Sequence, residues 1–598
     1  MRLPWASLAA YVVGVWARSR YALHDHHARH GVISDAADMM ATVARFAEAG
    51  APQGRADTIW PPGTPATLAA LRAADATLGW AAWAQLLLGC TLPLMVAHTT
   101  WLVAGRRAAW VALALASLHF GYVHYLGFFL SEAPFQVTCT LAIWMTVLAL
   151  RVCERNASTP RALLLGAAVG AAWAAAALFR PNAPPVALFI AAAVVGYSRW
   201  TSSSRRLPWL FAGAALTGAL LLAPSADRCS SIQGRACLIS ANFAMNVALG
   251  QAGPVSTMRF EDPVTGRATA WSPPSLWQHR YSGIRTVPAE IYDTTGVLRW
   301  VASRWRADPW QALVRATGNA LDLFRVDYWP ASFGRWSKRQ ATVAAQLFAL
   351  CAILPGLLGA VRGLRAARRR RASISLVALL AGMAGVVTLA FFSQGEPRYR
   401  FPFDVMWIAL AAAVWTKADL SDDAIAGELP STTAGAALGI GAAVAVSIVV
   451  FVSLVAHPAV ALGKRLGVDR RIAVSGVHRI AADAVSAPKR DGHPWNEGTV
   501  PIECDPACPE LRVSWPAVQR PRGIEISLDH NDRYRITFYR AGEQLGFREL
   551  ALQHHGNGLC VHAVPVPEGR GGFDEIGVVP LYGDGRYALG HLRPRSQP

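Results

Sequence analysis

The chain has 598 residues and a net charge of +19, with 53% apolar but only 16% charged residues, where a soluble protein carries about 25% charged. Mean hydropathy is +0.27 and the pI about 10.1, and several apolar runs approach the ~20 residues that cross a bilayer, which excludes a soluble globular protein. The basic excess falls in short loops between those runs, the positive-inside pattern. The membrane reading therefore explains the charge without nucleic acid as a partner.

In chain order, the first apolar run, 3–18, is too short and lacks an A-x-A-like site for a cleaved signal, so it reads as a retained span. A polar loop over 19–77 comes next. It carries His24-Asp25-His26-His27, Ser34-Asp35-Ala36-Ala37-Asp38 and Trp60-Pro61-Pro62-Gly63-Thr64-Pro65. Further spans are expected at 78–104, 108–130, 133–150, 161–179, 183–198, 207–224, 341–360, 373–392, 402–416 and 434–456, about eleven in all.

With the N-terminus cytoplasmic, the inside loops hold Arg106-Arg107, Arg151 to Arg161, Arg199 to Arg206, and Arg362 to Arg371, the last with six arginines in ten residues. Only the Lys417 loop is poor in basic residues. The first loop, Ser131-Glu132, Arg180-Pro181-Asn182, the segment 225–340, Gln394 to Arg400 and the C-terminal region then share the outer face. This is the topology of a multi-pass membrane protein with its C-terminal region outside, and the Ala- and Arg-rich usage suggests a high-GC bacterium, hence a bacterial inner membrane.

Within 225–340, Trp300, Val301, Trp305, Trp310, Leu313 and Val314 recur at roughly helical spacing, which predicts amphipathic helices at the membrane interface. From about 488 the chain alternates as strands do. Ile524, Ile526 and Leu528, then Tyr534, Ile536 and Phe538, flank the turn cluster Asp529-His530-Asn531-Asp532 and predict a hairpin in a small β-sandwich. The organisation is a transmembrane domain over 1–460, a linker over 461–487 and an extracytoplasmic β-rich domain over 488–598.

Of nine cysteines, Cys229/Cys237 and Cys504/Cys508 form close pairs on the outer face, where disulfides persist. A zinc knuckle needs four ligands, and neither pair has a second nearby, so disulfides are favoured.

Asp35 sits near the outer end of a span, where a carboxylate serves as general base towards an acceptor hydroxyl. Asp38 lies one helical turn on. The alternative is that Ser34-Asp35 simply starts a helix. The His24 cluster reads either as metal ligands or, in preference, as a solvated juxtamembrane patch. Glu132, Arg180, Glu396, Arg398 and Arg400 lie at membrane boundaries, where ionisable groups are paired or functional. A guanidinium fork matches phosphate oxygens, so Glu396-Pro397-Arg398-Tyr399-Arg400 is a candidate lipid-phosphate site, or an anchor on outer-leaflet headgroups. Asn242 and Asn246 either bond a sugar or cap interface helices. Gly439-Ile440-Gly441, inside an apolar run, reads as close helix packing.

Several stretches together resemble the GT-C superfamily of polyprenyl-phosphate-sugar-dependent glycosyltransferases, in the bacterial branch akin to protein mannosyltransferases and aminoarabinose transferases. Ser34-Asp35-Ala36-Ala37-Asp38-Met39 with Ala44-Arg45 and Gly50 resembles the first-loop pattern. Trp60 to Pro65 resembles its continuation. Leu130-Ser131-Glu132-Ala133-Pro134-Phe135, Phe179-Arg180-Pro181, Asn242 to Gly250 and Glu396 to Pro402 resemble the later stretches in order. Met39 and Thr64 depart from the tyrosines usual there. The resemblance covers about 1–420. It implies a polytopic helical fold and an inverting hexosyl or pentosyl transfer, with Asp35 as base. Arg398, Arg400 and Arg180 would hold the donor phosphate, supported by Asp38, Glu132, Asn242, Asn246, Glu396 and Tyr399. It implies a polyprenyl-monophosphate-sugar donor, a glycan, lipid or protein acceptor, and no obligatory metal, although a divalent ion is compatible. The β-domain reads equally as a carbohydrate-binding module or a structural cap. A lipid-sugar flippase or transporter and an O-antigen-ligase-like transferase are the alternatives; a transporter would show pseudo-symmetric halves, and no duplication is found.

Overall fold

The computed structural model describes residues 2–25, 39–40, 42–43, 46, 55–74, 78–154, 158–201, 206–252, 257–263, 268–271, 283–325, 338–420, 474–489, 493, 497–503, 508–529, 533–550, 559–567, 572–582 and 586–595. Among them, seven helices are long and apolar enough to cross a membrane. The chain is a multi-pass helical membrane protein with a C-terminal β-domain.

Helix α1 runs over Arg2–Arg20, and α2 over Gly63–Ala74. The expected spans at 78–104 and 108–130 lie in α3, Gly79–Ser117, which is broken at Gly105 (φ 81°, ψ 173°). Two contacts show what the break does. Tyr11 donates to the Cys90 carbonyl at 3.1 Å, and Arg18 Nη1 donates to the Ser117 carbonyl at 2.9 Å. A straight helix would separate Cys90 from Ser117 by about 40 Å, yet Tyr11 and Arg18 lie only about 10 Å apart along α1. The chain therefore doubles back at Gly105, in a backbone region that only glycine enters without strain. Beyond Ser117 the expected third span does not continue as one helix. It becomes α4, Phe120–His124, and a 3₁₀ turn over Tyr125–Gly127.

The remaining bundle consists of α5 Glu132–Glu154, α6 Thr159–Phe179, α7 Ala183–Thr201 and α8 Leu207–Gln233. Then come α9 Asn242–Ala252, α10 Thr294–Ala307 and α11 Pro309–Asp322. A continuous run is next, α12 Lys338–Phe348 and α13 Leu354–Arg368, joined by a π-turn. Last are α14 Ile374–Phe392, the single turn α15 Pro397–Arg400, and α16 Asp404–Trp415. Helix α8 extends past its expected end at 224. The expected span 402–416 is only the twelve-residue α16, interior from Asp404 to Ala413 with Trp407 fully buried. The expected span 434–456 lies outside the described residues. Small residues bring helices close: a Cβ on Gly166 would overlap the Leu210 carbonyl, and one on Gly170 that of Ala214, so α6 and α8 pack as a small-xxx-small pair.

Opposite ends of this bundle differ in chemistry. At one end Glu154 accepts from the Ile374 N–H at 2.7 Å, Tyr197 donates to the Ala372 carbonyl at 2.9 Å, and Arg370 lies over Trp200. Arg206 reaches Thr159 at 2.7 Å and Arg151 the Leu102 carbonyl at 2.8 Å. The loops rich in arginine gather here. The other end carries Arg55, Glu132, Arg180, Gln233 and Arg398.

At that second end, α9 leads into a three-stranded sheet of β1 Thr257–Glu261, β2 Ala268–Trp271 and β3 Ile284–Val287, ordered β2-β1-β3. Two amphipathic helices, α10 and α11, come after it as expected. They separate at Asp308, whose carboxylate caps α11 by accepting the Gln311 N–H at 2.9 Å, with Pro309 at its first turn. Trp305 packs against Phe391 and Phe392 at the end of α14.

The β-domain begins earlier than 488. Strand β4, Val474–Ala481, already pairs in parallel with β6, Cys508–Gln519. The other strands are β5 Val500–Glu503, β7 Gly523–Asp529, β8 Arg533–Arg540, β9 Glu543–Leu550, β10 Leu559–Pro565, β11 Phe573–Tyr582 and β12 Arg586–Arg595. They form a sandwich of β10-β7-β12-β5 on β4-β6-β11-β8-β9. The expected hairpin of 524–528 with 534–538 does not form, because β7 and β8 belong to opposite sheets. Alternation fixes which face of a strand is buried, not its partner. Ile524, Ile526 and Leu528 meet Ile536 and Phe538 across the core, not along an edge. The Cys229–Cys237 disulfide is formed; the Cys504/Cys508 pair and Gly439-Ile440-Gly441 fall outside the residues whose side chains are described.

Replacing Gly105 by Ala forces a side chain into this positive-φ break and is expected to destabilise the bundle by about 1–3 kcal/mol, read as a lowered Tm of the detergent-solubilised protein; an unchanged Tm would show that the reversal does not depend on glycine.

In the sandwich, burial pushes the His591 imidazole below its ordinary value despite its bond to Glu525, which lies at 3.1 Å. Burial raises the Glu525 carboxyl, but hydrogen bonds and charge from Arg593 and His591 outweigh it and hold it below the ordinary range. The unfolded chain thus binds more protons at both sites, and stability rises with pH. The stability of the domain should be flat above about pH 7.5, weaken as pH falls through about 6.5 and weaken further below about 4.5. H591N should flatten the upper part of that slope in thermal melts.

Candidate functional site

Three short stretches meet at the second end of the bundle, and each is placed by a helix terminus. Glu132 is the first residue of α5, and Arg180 comes directly after the last residue of α6. Gln394 and Glu396 lie between α14 and α15, with Arg398 in the turn of α15 itself. The Glu132 carboxylate is almost wholly buried, with a side-chain exposure of 2%. Its Oε1 accepts from Arg180 Nη2 and lies 3.5 Å from Arg398 Nη1. Arg180 Nε also donates to Ser131 Oγ at 2.9 Å. The Nη1 of Arg180 makes no hydrogen bond among the described residues. Arg398 Nε lies 2.6 Å from Glu396 Oε2, and Gln394 donates to Glu396. Tyr399 lies between the two guanidiniums, its ring centre 5.5 Å from Arg180 and 5.2 Å from Arg398. Burial is the largest influence on the Glu396 carboxyl, and it raises that group above its ordinary value although Arg398 pulls the other way.

Tyr399 also lines a narrow cleft between α9 and the end of α14. One part of its wall is apolar, from Val386, Leu389 and Ala390, and another is polar, from Asn182, Asn246 and Gln394. Asn246 therefore shares this cleft with Tyr399, whose ring is the neighbour of both arginines. Asn242 does not line the cleft; it starts α9 and accepts from Ser240 Oγ at 2.9 Å.

Arg400, expected beside Arg398 on the donor phosphate, has a different environment. Its Nε donates to Asp404 Oδ1 at 2.8 Å and its Nη1 to the Leu323 carbonyl at 2.8 Å. Asp404 Oδ2 in turn lies 2.8 Å from His119 Nε2. Because His119 Nδ1 accepts the Gly121 N–H at 3.0 Å, its Nε2 carries the proton and donates to Asp404. The imidazole stacks between Phe348 and Tyr122 with centres 3.8 and 4.3 Å away. With Asp404 and His119 fully buried and Arg400 nearly so, this chain of bonds ties α16 to the α3–α4 turn and to α11. Sequence reasoning did not single out His119 or Asp404. The signal was there: an aspartate at the head of a run otherwise free of charge needs a buried partner.

Asp35, Asp38 and the His24 to His27 cluster lie outside the residues whose side chains are described. Met40, Val43 and Phe46 are buried with Leu68, Leu78 and Phe129, so the chain just after Asp38 packs three residues from Glu132. Gly63 of the Trp60 to Pro65 stretch approaches the end of α6 so closely that a Cβ would lie 2.7 Å from the Leu178 carbonyl. Arg55, which sequence reasoning passed over, binds Glu290 through both Nη atoms at 2.5 and 2.9 Å, lies 5.0 Å from the Tyr292 ring and donates to Gln233 at 3.1 Å. It latches the first loop to the base of the long loop beside the disulfide. Among the described residues, no group of three or more metal-ligating side chains is found.

No protein-family model matches the chain, and no curated protein matches it. Among solved structures, it is similar to the archaeal oligosaccharyltransferase AglB from Archaeoglobus fulgidus in complex with an inhibitory peptide and a dolichol-phosphate. That match has 15% identity and a TM-score of 0.42, over 76% of this chain and 56% of that one. The apo form of the Archaeoglobus fulgidus enzyme matches at 12% identity and a TM-score of 0.41, over the same shares. A form tethered to an acceptor peptide matches at 14% and 0.40, over 76% and 55%. This chain thus spans little more than half the length of those proteins, and likeness of this degree assigns no family.

Arg400→Met would leave Asp404 buried with only the His119 donor, and the loss of one partner from a buried pair costs about 3–5 kcal/mol. The expected result is a lower Tm for R400M than for R206M, whose side chain is exposed. Equal melting of the two would separate Arg400 from the stability of the bundle.

Proposed function

We propose that this protein is a membrane glycosyltransferase that moves a sugar from a polyprenyl-monophosphate donor to an acceptor on the extracytoplasmic side. The observation that carries the reading is the Glu132-braced pair Arg180 and Arg398, set beside a cleft that is apolar on one wall and amide-lined on another. A lipid-linked sugar has that same division: a hydrocarbon tail, an anionic phosphate and a polar ring. The partition of arginine-rich loops to the opposite end of the bundle supports the site end as the outer one. The order of motifs along the sequence supports the transferase reading independently.

In this mechanism Asp35 accepts the proton of the acceptor hydroxyl, whose oxygen attacks the anomeric carbon as the bond to the phosphate oxygen breaks. Configuration inverts in this single displacement. The phosphate leaves with the bonding electron pair, and Arg398 and Arg180 stabilise the charge it gains. Glu132 acts as a positioning residue that holds both guanidiniums. Tyr399 supplies an aromatic face between them, while Asn246, and Asn242 at the head of the same helix, support the sugar side. Glu396, paired with Arg398, holds that guanidinium from the other side. Arg400 supports the site from beneath through Asp404. The chemistry as drawn needs no metal. The sandwich is assigned to the outer side with the site.

Purified protein in lipid nanodiscs, given a panel of radiolabelled polyprenyl-monophosphate sugars, tests this. Asp35→Asn should reduce transfer or donor hydrolysis by about 10²-fold or more with wild-type Tm, and Arg398→Gln, which also leaves Glu396 without its guanidinium and so lowers the Tm, should lower kcat/KM of the still-folded protein by about 10–100-fold. Turnover that is indifferent to Asp35→Asn removes the assigned base. No turnover of any donor by well-folded protein favours a transporter.

A further inference from the structure

We propose that Arg285, Arg304 and Arg315 form a second anion site, a cleft that takes the phosphate of an anionic membrane lipid headgroup. The cleft encloses about 510 Å³ between α10 and α11 and is lined by Trp300, Ser303, Arg304, Asp308, Gln311 and Arg315. Arg285, on β3, is their neighbour.

Three features point to a missing anion. First, the Nε of each of the three arginines is buried and without a hydrogen-bond partner, and among the described residues none of the three guanidiniums is in an ion pair. Elsewhere in this chain half-buried arginines find carboxylates, as Arg55 does at Glu290. Second, the arginines feel one another. Burial lowers the proton affinity of Arg304 and Arg315, and the positive charge of Arg285 lowers both further. Among the described residues, the one acid lining the cleft is Asp308, which partly offsets this, but its carboxylate also caps α11. Three cations against one anion leave the cleft with an excess of two positive charges. Third, guanidinium forks match phosphate oxygens in geometry and charge, so a bound phosphate would satisfy the orphaned donors and relieve the repulsion.

A lipid is the indicated carrier because of the side chains around the cleft. Next to Arg315, Trp310 is 69% exposed, Val314 49% and Leu313 41%. Trp305 packs on Phe391 and Phe392 at the terminus of a membrane-crossing helix. Exposed aromatic and aliphatic side chains at that level belong among headgroups and upper acyl chains. The arginines of the same helix pair then lie where lipid phosphates lie.

The test is native mass spectrometry of the full chain in detergent, titrated with dioleoyl-phosphatidylglycerol and, as the zwitterionic control, dioleoyl-phosphatidylcholine. The expected result is one bound phosphatidylglycerol above the phosphatidylcholine background, weakened at least about tenfold in R304Q/R315Q and in the single charge reversal R304E. Removing mutually repelling charges should leave the Tm unchanged or raised, so loss of binding is not loss of fold. Displacement of the lipid by millimolar inorganic phosphate supports the site and identifies the phosphate itself as the recognised group, whichever molecule carries it. Equal retention of the two lipids by the wild type, or phosphatidylglycerol binding that survives both variants, overturns the proposal. Arg398→Gln should leave this binding intact, and the readout needs no turnover. Its failure is therefore separable from failure of the transferase reading.

Discussion

The buried carboxylate of Glu132 is the group on which the site end of the bundle depends. It begins α5, it accepts from the arginine that ends α6, and it lies within reach of the arginine in the turn of α15. An ion in such surroundings loses its hydration, and only matched partners return that free energy. Two arginines on one carboxylate would leave an excess positive charge, which Glu396 balances at Arg398. The constraint is geometric as well as electrostatic. Three helix termini that are far apart in sequence must reach one point, and the cleft beside Tyr399 exists because they do.

A second buried set lies one turn further along. Arg400, Asp404 and His119 are bonded in series and packed among aromatic rings. Alternate residues of the stretch Glu396 to Arg400 thus have separate tasks. Arg398 belongs to the Glu132 cluster at the end of the bundle, and Arg400 to its interior. Short distance in sequence gave the two arginines a common appearance. The turn of α15 gives them different neighbours.

The long loop contributes in two ways. Its base is fixed by the Cys229–Cys237 disulfide and by the Arg55–Glu290 pair, which also holds the second half of the first loop. Its amphipathic helices rest on the end of α14 and, with β3, carry three arginines that the rest of the fold leaves uncompensated. A chain that matches its buried charges so closely at Glu132 and Asp404 makes the uncompensated ones informative. They mark a place where the opposite charge comes from outside the chain.

The sequence by itself determined what one-dimensional patterns can encode. The apolar run lengths placed most of the long described helices, because a bilayer imposes length directly, but not the shorter helices between them. The loop arginines separated the two ends. Glu132, Arg180 and Arg398 were legible as boundary ions, and the Cys229–Cys237 pair as a disulfide, since both depend on local spacing. Tertiary structure alone decided the pairings. The reversal at Gly105 was legible as the Arg106-Arg107 loop between two expected spans, but the torsion that makes it without any loop was not. The separation of β7 and β8 into opposite sheets comes from burial shared across a core, which strand alternation leaves open. The same reason hid His119 and Asp404, which are 285 positions apart: each looked incidental until the fold put one beside the other.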